Sequence, residues 1–491
     1  MAIWAIAVLC LIILIITLLA VIAVRTAVFK SKQIRVPDGV AYPVDLDGAA
    51  GRLSSAIGFK TVSSLDHSQV DYGQLTRFQA FLEKSFPLVH GALTKEIINK
   101  YGLLYVWQGS DTGKKPILLL AHQDVVPAWD EGWTHPPFSG AIADNYIWGR
   151  GTMDDKGTLM SILEAIEFLL KEGYEPSRSV YLASGFDEEV GGYQGAGKIA
   201  DYLKEQGLQF EFVLDEGMVA TNGVVPGLPG WVALVGIAEK GYLTLELTAE
   251  AKGGHASQPP RQTTVGILAA AINRLQNNQF PTRLTRAAAG LFEYLGPEMH
   301  GFKKMVFANM WLFRPLVKGQ LAANPVTGAS VRTTIAPTMF QGSQQDNILP
   351  MLAKAAINFR ILQGDTVESV TERVTILIND PRVKITPVEL NIFQPSPVSP
   401  ISGWSFGVLV RTIREIMPDA LVTPMLVLGR TDCTYYTGLS SCCYRFVPQR
   451  VPAAEMAAIH GINERVSIDN YGEMICFYIR LIQNFSTALL K

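Results

Sequence analysis

Histidine is scarce in this chain, with 7 among 491 residues. Cysteine is scarcer still, at 5, and no two form a Cys-x-x-Cys pair. The cysteines therefore spell out no disulfide framework, and thiolate-bound zinc is disfavoured. Cys10 lies in an apolar leader, and Cys433, Cys442, Cys443 and Cys476 read as small core hydrophobes. No basic run or basic–aromatic stripe occurs, and 42 Lys+Arg nearly balance 44 Asp+Glu. That pattern argues against nucleic acid as a partner. Between Met1 and Val24 there is no charged side chain at all. As a helix this stretch spans ~36 Å at ~1.5 Å per residue, enough to cross a bilayer core. It lacks the basic n-region of a cleaved signal peptide. Residues 1–24 are thus expected to be an uncleaved transmembrane anchor. Arg25, Lys30, Lys32 and Arg35 follow it, and by the positive-inside rule they would keep the body in the cytoplasm. No other stretch reaches spanning length without charge, Pro or Gly, so a soluble body on one tether is expected.

What is present is organised around His122 to Glu189. The apolar run Ile117–Ala121 ends on His122-Gln123-Asp124. The run Val180–Ala183 leads to Asp187-Glu188-Glu189, and Phe212–Leu214 leads to Asp215-Glu216-Gly217. Between them, Leu159, Ile162, Leu163, Ile166 and Leu169 recur at helical spacing. Short apolar strands alternating with amphipathic helices predict an α/β fold, a mixed and largely parallel sheet flanked by helices. Residues just past the strand carboxyl ends of such a sheet line its ligand crevice.

Length alone predicts more than one domain. Residues 25–50 read as a linker with Pro37 and Pro43. A change of character comes near Glu239, where Tyr242–Thr248 alternates as a half-buried strand does. A helix over 263–276, strands over 329–338 and 355–362, a helix over 367–379 and a strand over 383–390 follow. That order is an α+β, ferredoxin-like pattern. It predicts a smaller domain, 239–392, inserted between catalytic segments 51–238 and 393–491. The aromatic stretch 277–321 reads as long and irregular, either an insertion covering the site or helices packing on the smaller domain.

His nitrogen and carboxylate oxygen together suit a divalent ion such as zinc. Two ions need a bridging carboxylate, and Asp154, in Gly149-Arg150-Gly151-Thr152-Met153-Asp154-Asp155-Lys156-Gly157, is the candidate. Of Glu188 and Glu189, one would bind metal and the other act as base toward a water. Asp124 fits a carboxylate that orients the His122 imidazole. Read singly, these features are bland. A Glu-Glu pair usually starts a solvated helix, Gly-Gly-His is usually a turn, and an Asp after a strand is often a helix cap. His67, His90, His135 and His300 read as loop, structural or surface residues.

Together the motifs resemble the co-catalytic zinc peptidases of the aminoacylase, carnosinase and carboxypeptidase S family. The resemblance runs from about Gly51 to the carboxyl terminus and is nearest to the carboxypeptidase S branch, which includes N-acyl-amino-acid hydrolases. It implies two Zn2+ per chain, although His plus carboxylate also suits Co2+ or Mn2+. His122, Asp154 and Asp215 would hold one ion, and Asp154, Glu189 and His460 the other. Glu188 would be the general base, and the Asp154–Asp155 peptide would be cis. His255, in Gly253-Gly254-His255, matches a lid-domain histidine that stabilises an oxyanion, often across a homodimer. Asn347 and Arg360 match residues that grip a substrate carboxylate, and Arg does so bidentately. Arg430, in Gly429-Arg430-Thr431-Asp432, matches a pocket loop where a small residue is usual. The implied substrate is a short peptide or an N-acyl amino acid. Secreted and vacuolar relatives place the body outside or in a lumen, opposite to the charge rule. The alternative is an inactive membrane-bound scaffold or receptor, which a missing ligand would mark. None is missing.

Overall fold

The computed structural model describes residues 2–36, 39–225 and 227–487. Ile117–Leu120 is buried at every position and lies between Val180–Ser184 and Phe212–Asp215, parallel to both. Cys443–Arg445 extends this parallel centre beside Phe212–Asp215. Side chains alternate between two cores. Ile117 and Leu119 join a cluster with the helices Lys156–Lys171, Trp404–Ile416 and Ile468–Ser486. Leu118 and Leu120 join another with the helix Ala196–Glu205. Coverage of both faces explains the unbroken apolar runs.

The edges of this ten-stranded sheet are mixed. Thr94–Ile98 and Gly102–Trp107 form an antiparallel hairpin at one side. At the other, Trp231–Glu239 is antiparallel to Cys443–Arg445 and Ala220–Asn222 but parallel to Leu421–Val427. Antiparallel edges are common on α/β sheets and leave the central crevice intact.

A separate four-stranded antiparallel sheet runs in the order Thr334–Gln341, Leu352–Ile361, Gly241–Glu250, Val383–Pro387. Leu243, Leu245 and Leu247 point from it into a core shared with the helices Thr264–Asn277 and Val367–Ile378. The chain crosses between the sheets twice, and the crossings touch. Tyr242 and Phe393 exchange backbone hydrogen bonds, each of 2.9 Å, and the Ser396 N–H donates to Glu239 O at 3.1 Å.

Two segments depart from the sequence reading. Residues 277–321 are largely helical, as one of the two readings has it, in Arg286–Leu295, Gly301–Ala308 and Met310–Ala323, but they pack elsewhere. Gly and Pro at 296, 297, 301 and 315 obscure that periodicity. The first of these helices packs on the large sheet, not on the smaller one: Gly290 sits so close to Pro424 that a Cβ would lie 2.9 Å from the ring. Nor is the segment 28–45 a loose linker. Lys32 pairs with Glu293 at 2.9 Å, Gln33 bonds both backbone groups of Val422, and the Val40 N–H donates to Glu415 O.

The N-terminal helix is Ala2–Ala27. Its mean hydropathy reaches 3.4 and that window is unburied, a character shared by membrane anchors and signal sequences. Cys433 and Cys443 are buried, while Cys442 and Cys476 pack half-buried against the core.

Candidate metal centre and active site

His122 sits two residues beyond the end of the central strand Ile117–Leu120, and its ring is buried. Nδ1 meets Asp124 O at 2.9 Å and Nε2 meets Asp154 Oδ1 at 3.0 Å. The other oxygen of Asp154 lies 2.8 Å from His460 Nε2, which is also 3.2 Å from Glu189 Oε2. One carboxylate thus faces two imidazoles from distant parts of the chain. His122, Asp154 and Glu189 each place a donor atom within 4.8 Å of the others.

The supports are non-local. Asp154 lies on a tight loop before the helix Lys156–Lys171, where Gly151 has φ +94° and a Cβ on Gly157 would lie 2.1 Å from Thr152 O. The Asp154–Asp155 peptide is cis. Glu464 holds this loop from outside. Its Oε1 accepts the N–H groups of Gly151, Met153 and Asp154 at 3.0, 2.8 and 3.2 Å. Its other oxygen pairs with Arg150, whose guanidinium also donates to Gly461 O. Asp124 accepts the N–H groups of Glu188 and Glu189 at 3.1 and 3.2 Å, fixing the acidic turn to the His122 loop.

The electrostatics follow from packing carboxylates together. Burial works against charge on Asp154, but hydrogen bonds from His122 and His460 hold its carboxyl well below the usual range. Burial opposes charge on the His122 ring too, yet hydrogen bonds to Asp124 and Asp154 keep it well above the ordinary value. Hydrogen bonds to Asp154 and Glu189 push His460 up to about 10. Burial, then Asp432, raises Glu188 far above an ordinary glutamate. Glu189 Oε1 is buried without a hydrogen-bond partner. This is a concentration of negative charge with positive rings drawn in against it, and a spare oxygen donor. Those donors fit a divalent cation.

The remaining expected site residues fall into groups. Asp215 ends its strand in the buried interior, with its oxygens accepting the N–H groups of Cys433 and Glu216 at 2.6 and 2.9 Å. His255 is exposed on the short strand Gly254–His255, opposite Ile348. Its neighbour Ala256 donates to Asn347 O, so His255 and Asn347 lie together on a two-stranded ribbon separate from the four-stranded sheet. Neither has a hydrogen bond to the His122 cluster among the described residues. Arg360 projects from Leu352–Ile361 with its guanidinium 4.4 Å from the centre of the Tyr242 ring. Arg430 stacks 4.1 Å from the Phe393 ring centre and donates to Gly191 O at 2.8 Å, bracing the turn after Glu189.

Three residues escaped the sequence reading. Glu464 could have been flagged by its place four residues after His460. Glu216 is raised well above its usual value by burial and by Asp154 and Glu188 nearby. Asp432 is buried with one unpartnered oxygen. No local pattern announces the last two.

Comparison with known proteins finds relatives over most of the chain. Residues 118–484 match the model of the peptidase family M20/M25/M40. A probable carboxypeptidase S-like 2 of Dictyostelium discoideum is 41% identical over 482 residues, 96% of this chain and 92% of that protein. The N-fatty-acyl-amino acid synthase/hydrolase PM20D1 of Xenopus tropicalis is 41% identical over 440 residues, 89% of this chain and 85% of that protein. The fold is similar to that of an M20 family metallo-carboxypeptidase, Sso-CP2, from Sulfolobus solfataricus. That pair has TM-score 0.65 and 18% identity, covering 89% of this chain and 99% of the other. Strand-end histidine, shared aspartate and acidic turn thus sit in a chain that aligns almost end to end with such hydrolases, and the protein belongs to the peptidase family M20/M25/M40.

Proposed function

We propose that the protein is a membrane-anchored, two-metal amidohydrolase. Its substrate is an amide whose amine half is an amino acid with a free carboxylate, either a short peptide or an N-acyl amino acid. The observation that carries this reading is Asp154, whose two oxygens face His122 and His460 separately. His122, Asp154 and Asp215 would hold one ion, and Asp154, Glu189 and His460 the other. Zinc suits this donor set, and cobalt or manganese would also fit. The bound pair would supply Lewis acidity toward the amide carbonyl and lower the pKa of a water.

The chain's own groups do the rest. Glu188 takes a proton from the attacking water and returns it to the leaving amine as the C–N bond breaks. The products are a carboxylic acid and an amino acid. Asp124 holds the His122 ring in register. Residues 239–392 act as a ferredoxin-like lid and dimerisation domain. His255 reaches the developing oxyanion only when that domain closes or a second copy presents it. Asn347 and Arg360 grip the substrate carboxylate, and Arg430 shapes the pocket wall. The apolar helix Ala2–Ala27 anchors the body to a membrane.

The test is metal content and hydrolysis of the purified full chain, with an N-acyl amino acid and a dipeptide assayed side by side. Glu188→Gln should retain metal and lose turnover by about 10²-fold or more. A chain that binds no divalent metal, or a Glu188→Gln protein with wild-type rate, would refute the reading and favour an inactive scaffold.

A further inference from the structure

The helix Met310–Ala323 is apolar in composition, yet among its residues only Val317 is buried. Trp311 and Leu316 are 53% and 58% exposed, and Phe302, on the preceding helix Gly301–Ala308, is 67% exposed. A protein surface bathed only in water does not usually gather such side chains in one place. Charge there is equally one-sided. From Met299 to Ala329 the chain has Lys303, Lys304, Arg314 and Lys318 and no acidic residue, within a molecule of formal charge −2.

The position of this face identifies what covers it. Leu18, Ile22 and Thr26, one stripe of the N-terminal helix at i, i+4 spacing, are half-buried. Asn309, fully buried between the two exposed helices, donates through Nδ2 to Thr26 Oγ1 at 3.1 Å and Ile22 O at 3.3 Å. Phe29 packs on Gly296. A bilayer core needs ~20 residues of helix, and this helix has 26. Its last turn or two, where Asn309 docks, therefore falls at the headgroup level. A cavity of ≈ 680 Å³ opens at the same junction. Phe29, Phe307 and Met310 are among its apolar lining residues, and Arg25, Arg286 and Arg314 supply guanidinium groups beside one carboxylate, Glu293, which pairs with Lys32.

We infer that the helices Gly301–Ala308 and Met310–Ala323 lie in the surface of the bilayer that the N-terminal helix spans, with apolar side chains among acyl chains and cations toward anionic phospholipid headgroups. An in-plane segment of this kind is held by apolar burial plus attraction to anionic lipid. The inference rests on the anchor reading of the N-terminal helix.

The test uses the full chain in nanodiscs of mixed phosphatidylcholine and phosphatidylserine. Cys10, Cys442 and Cys476 are replaced by Ser, and a fluorophore is placed through Leu316→Cys or, as an aqueous control, Glu205→Cys. A third protein keeps Cys10 as the labelled site and reports on the anchor. Retained hydrolysis shows that each labelled chain is folded. The Leu316→Cys label should be quenched by headgroup-proximal nitroxide lipid and shielded from iodide by at least about three-fold relative to the control. Lys304→Glu with Lys318→Glu should reduce that shielding in mixed discs but not in phosphatidylcholine discs; an unchanged signal overturns the anionic-lipid assignment. Free iodide access at Leu316→Cys with lipid quenching at Cys10 overturns the inference and leaves the anchor standing. Shielding from iodide without lipid quenching means that a second copy covers the face, which also overturns it. Iodide access at Cys10 removes the anchor, and the inference with it.

Discussion

The carboxylate of Glu464 accepts the backbone N–H of Asp154 at 3.2 Å. The loop that presents the shared aspartate is thereby hung on the loop that presents His460. Glu464 touches no cluster imidazole directly, yet it fixes the separation between the two halves of the site. Replacing it with Gln keeps the size but loses the charge that three amides and Arg150 share. Glu464→Gln is expected to weaken metal affinity by about 10–100-fold, measured by chelator competition on the full chain, with a lowered Tm.

Asp124 makes an independent brace. Its oxygens receive the amides of Glu188 and Glu189 while its backbone oxygen meets His122. Asp124→Asn puts an amide N–H where one of those amides now donates. Turnover should fall by about 10-fold or more through displaced groups, with metal content reduced. Full activity at normal metal content would show that the acidic turn holds itself.

Arg360 gives a prediction about substrate choice. Arg360→Lys keeps a cation but loses the planar fork that binds a carboxylate bidentately. KM for an N-acyl amino acid should rise by about 10-fold, while turnover of the matching carboxamide, expected to be poor from the start, stays unchanged. An equal effect on both substrates would place Arg360 outside the carboxylate subsite.

Glu415 tests stability away from the site. Burial pushes its carboxyl up, but hydrogen bonds from Arg480, Asn484 and Arg411 outweigh that and hold it at about 2. These contacts join the helices Trp404–Ile416 and Ile468–Ser486. A folded-state value below the unfolded one stabilises the protein above pH ~4.5, and that contribution is lost as pH falls toward about 2. Glu415→Gln should therefore cost about 1–3 kcal/mol at neutral pH. Denaturant melts of both proteins should converge as pH drops through that window. A gap that stays constant with pH would show that the charge is not what stabilises the pair.

The readable parts of this fold are those written in local periodicity. Ile117–Leu120, Val180–Ser184 and Phe212–Asp215 announce themselves as buried strands, so His122 and Asp215 at their ends could be placed in a crevice. Leu243, Leu245 and Leu247 announce the smaller sheet in the same way. The amides that Glu464 and Asp124 receive belong to residues far away in sequence, and no spacing records them. The helices after residue 285 are legible only as one of two readings, for a different reason. Pro315 lies inside Met310–Ala323, and the outward apolar face of that helix lacks the polar stripe that a water-exposed helix shows.

The paired crossings at Tyr242 and Phe393 bear on how the two sheets can move. Two separate strings would let the smaller sheet twist, slide and tilt. Strings stitched to each other by a reciprocal pair of hydrogen bonds resist sliding past one another, and the chain on either side of Arg286–Leu295, a helix packed on the large sheet, adds a second tie. Any travel of the short strand pair beside which His255 and Asn347 lie would be set by both ties. A substitution at the seam would alter that travel without touching any reacting atom.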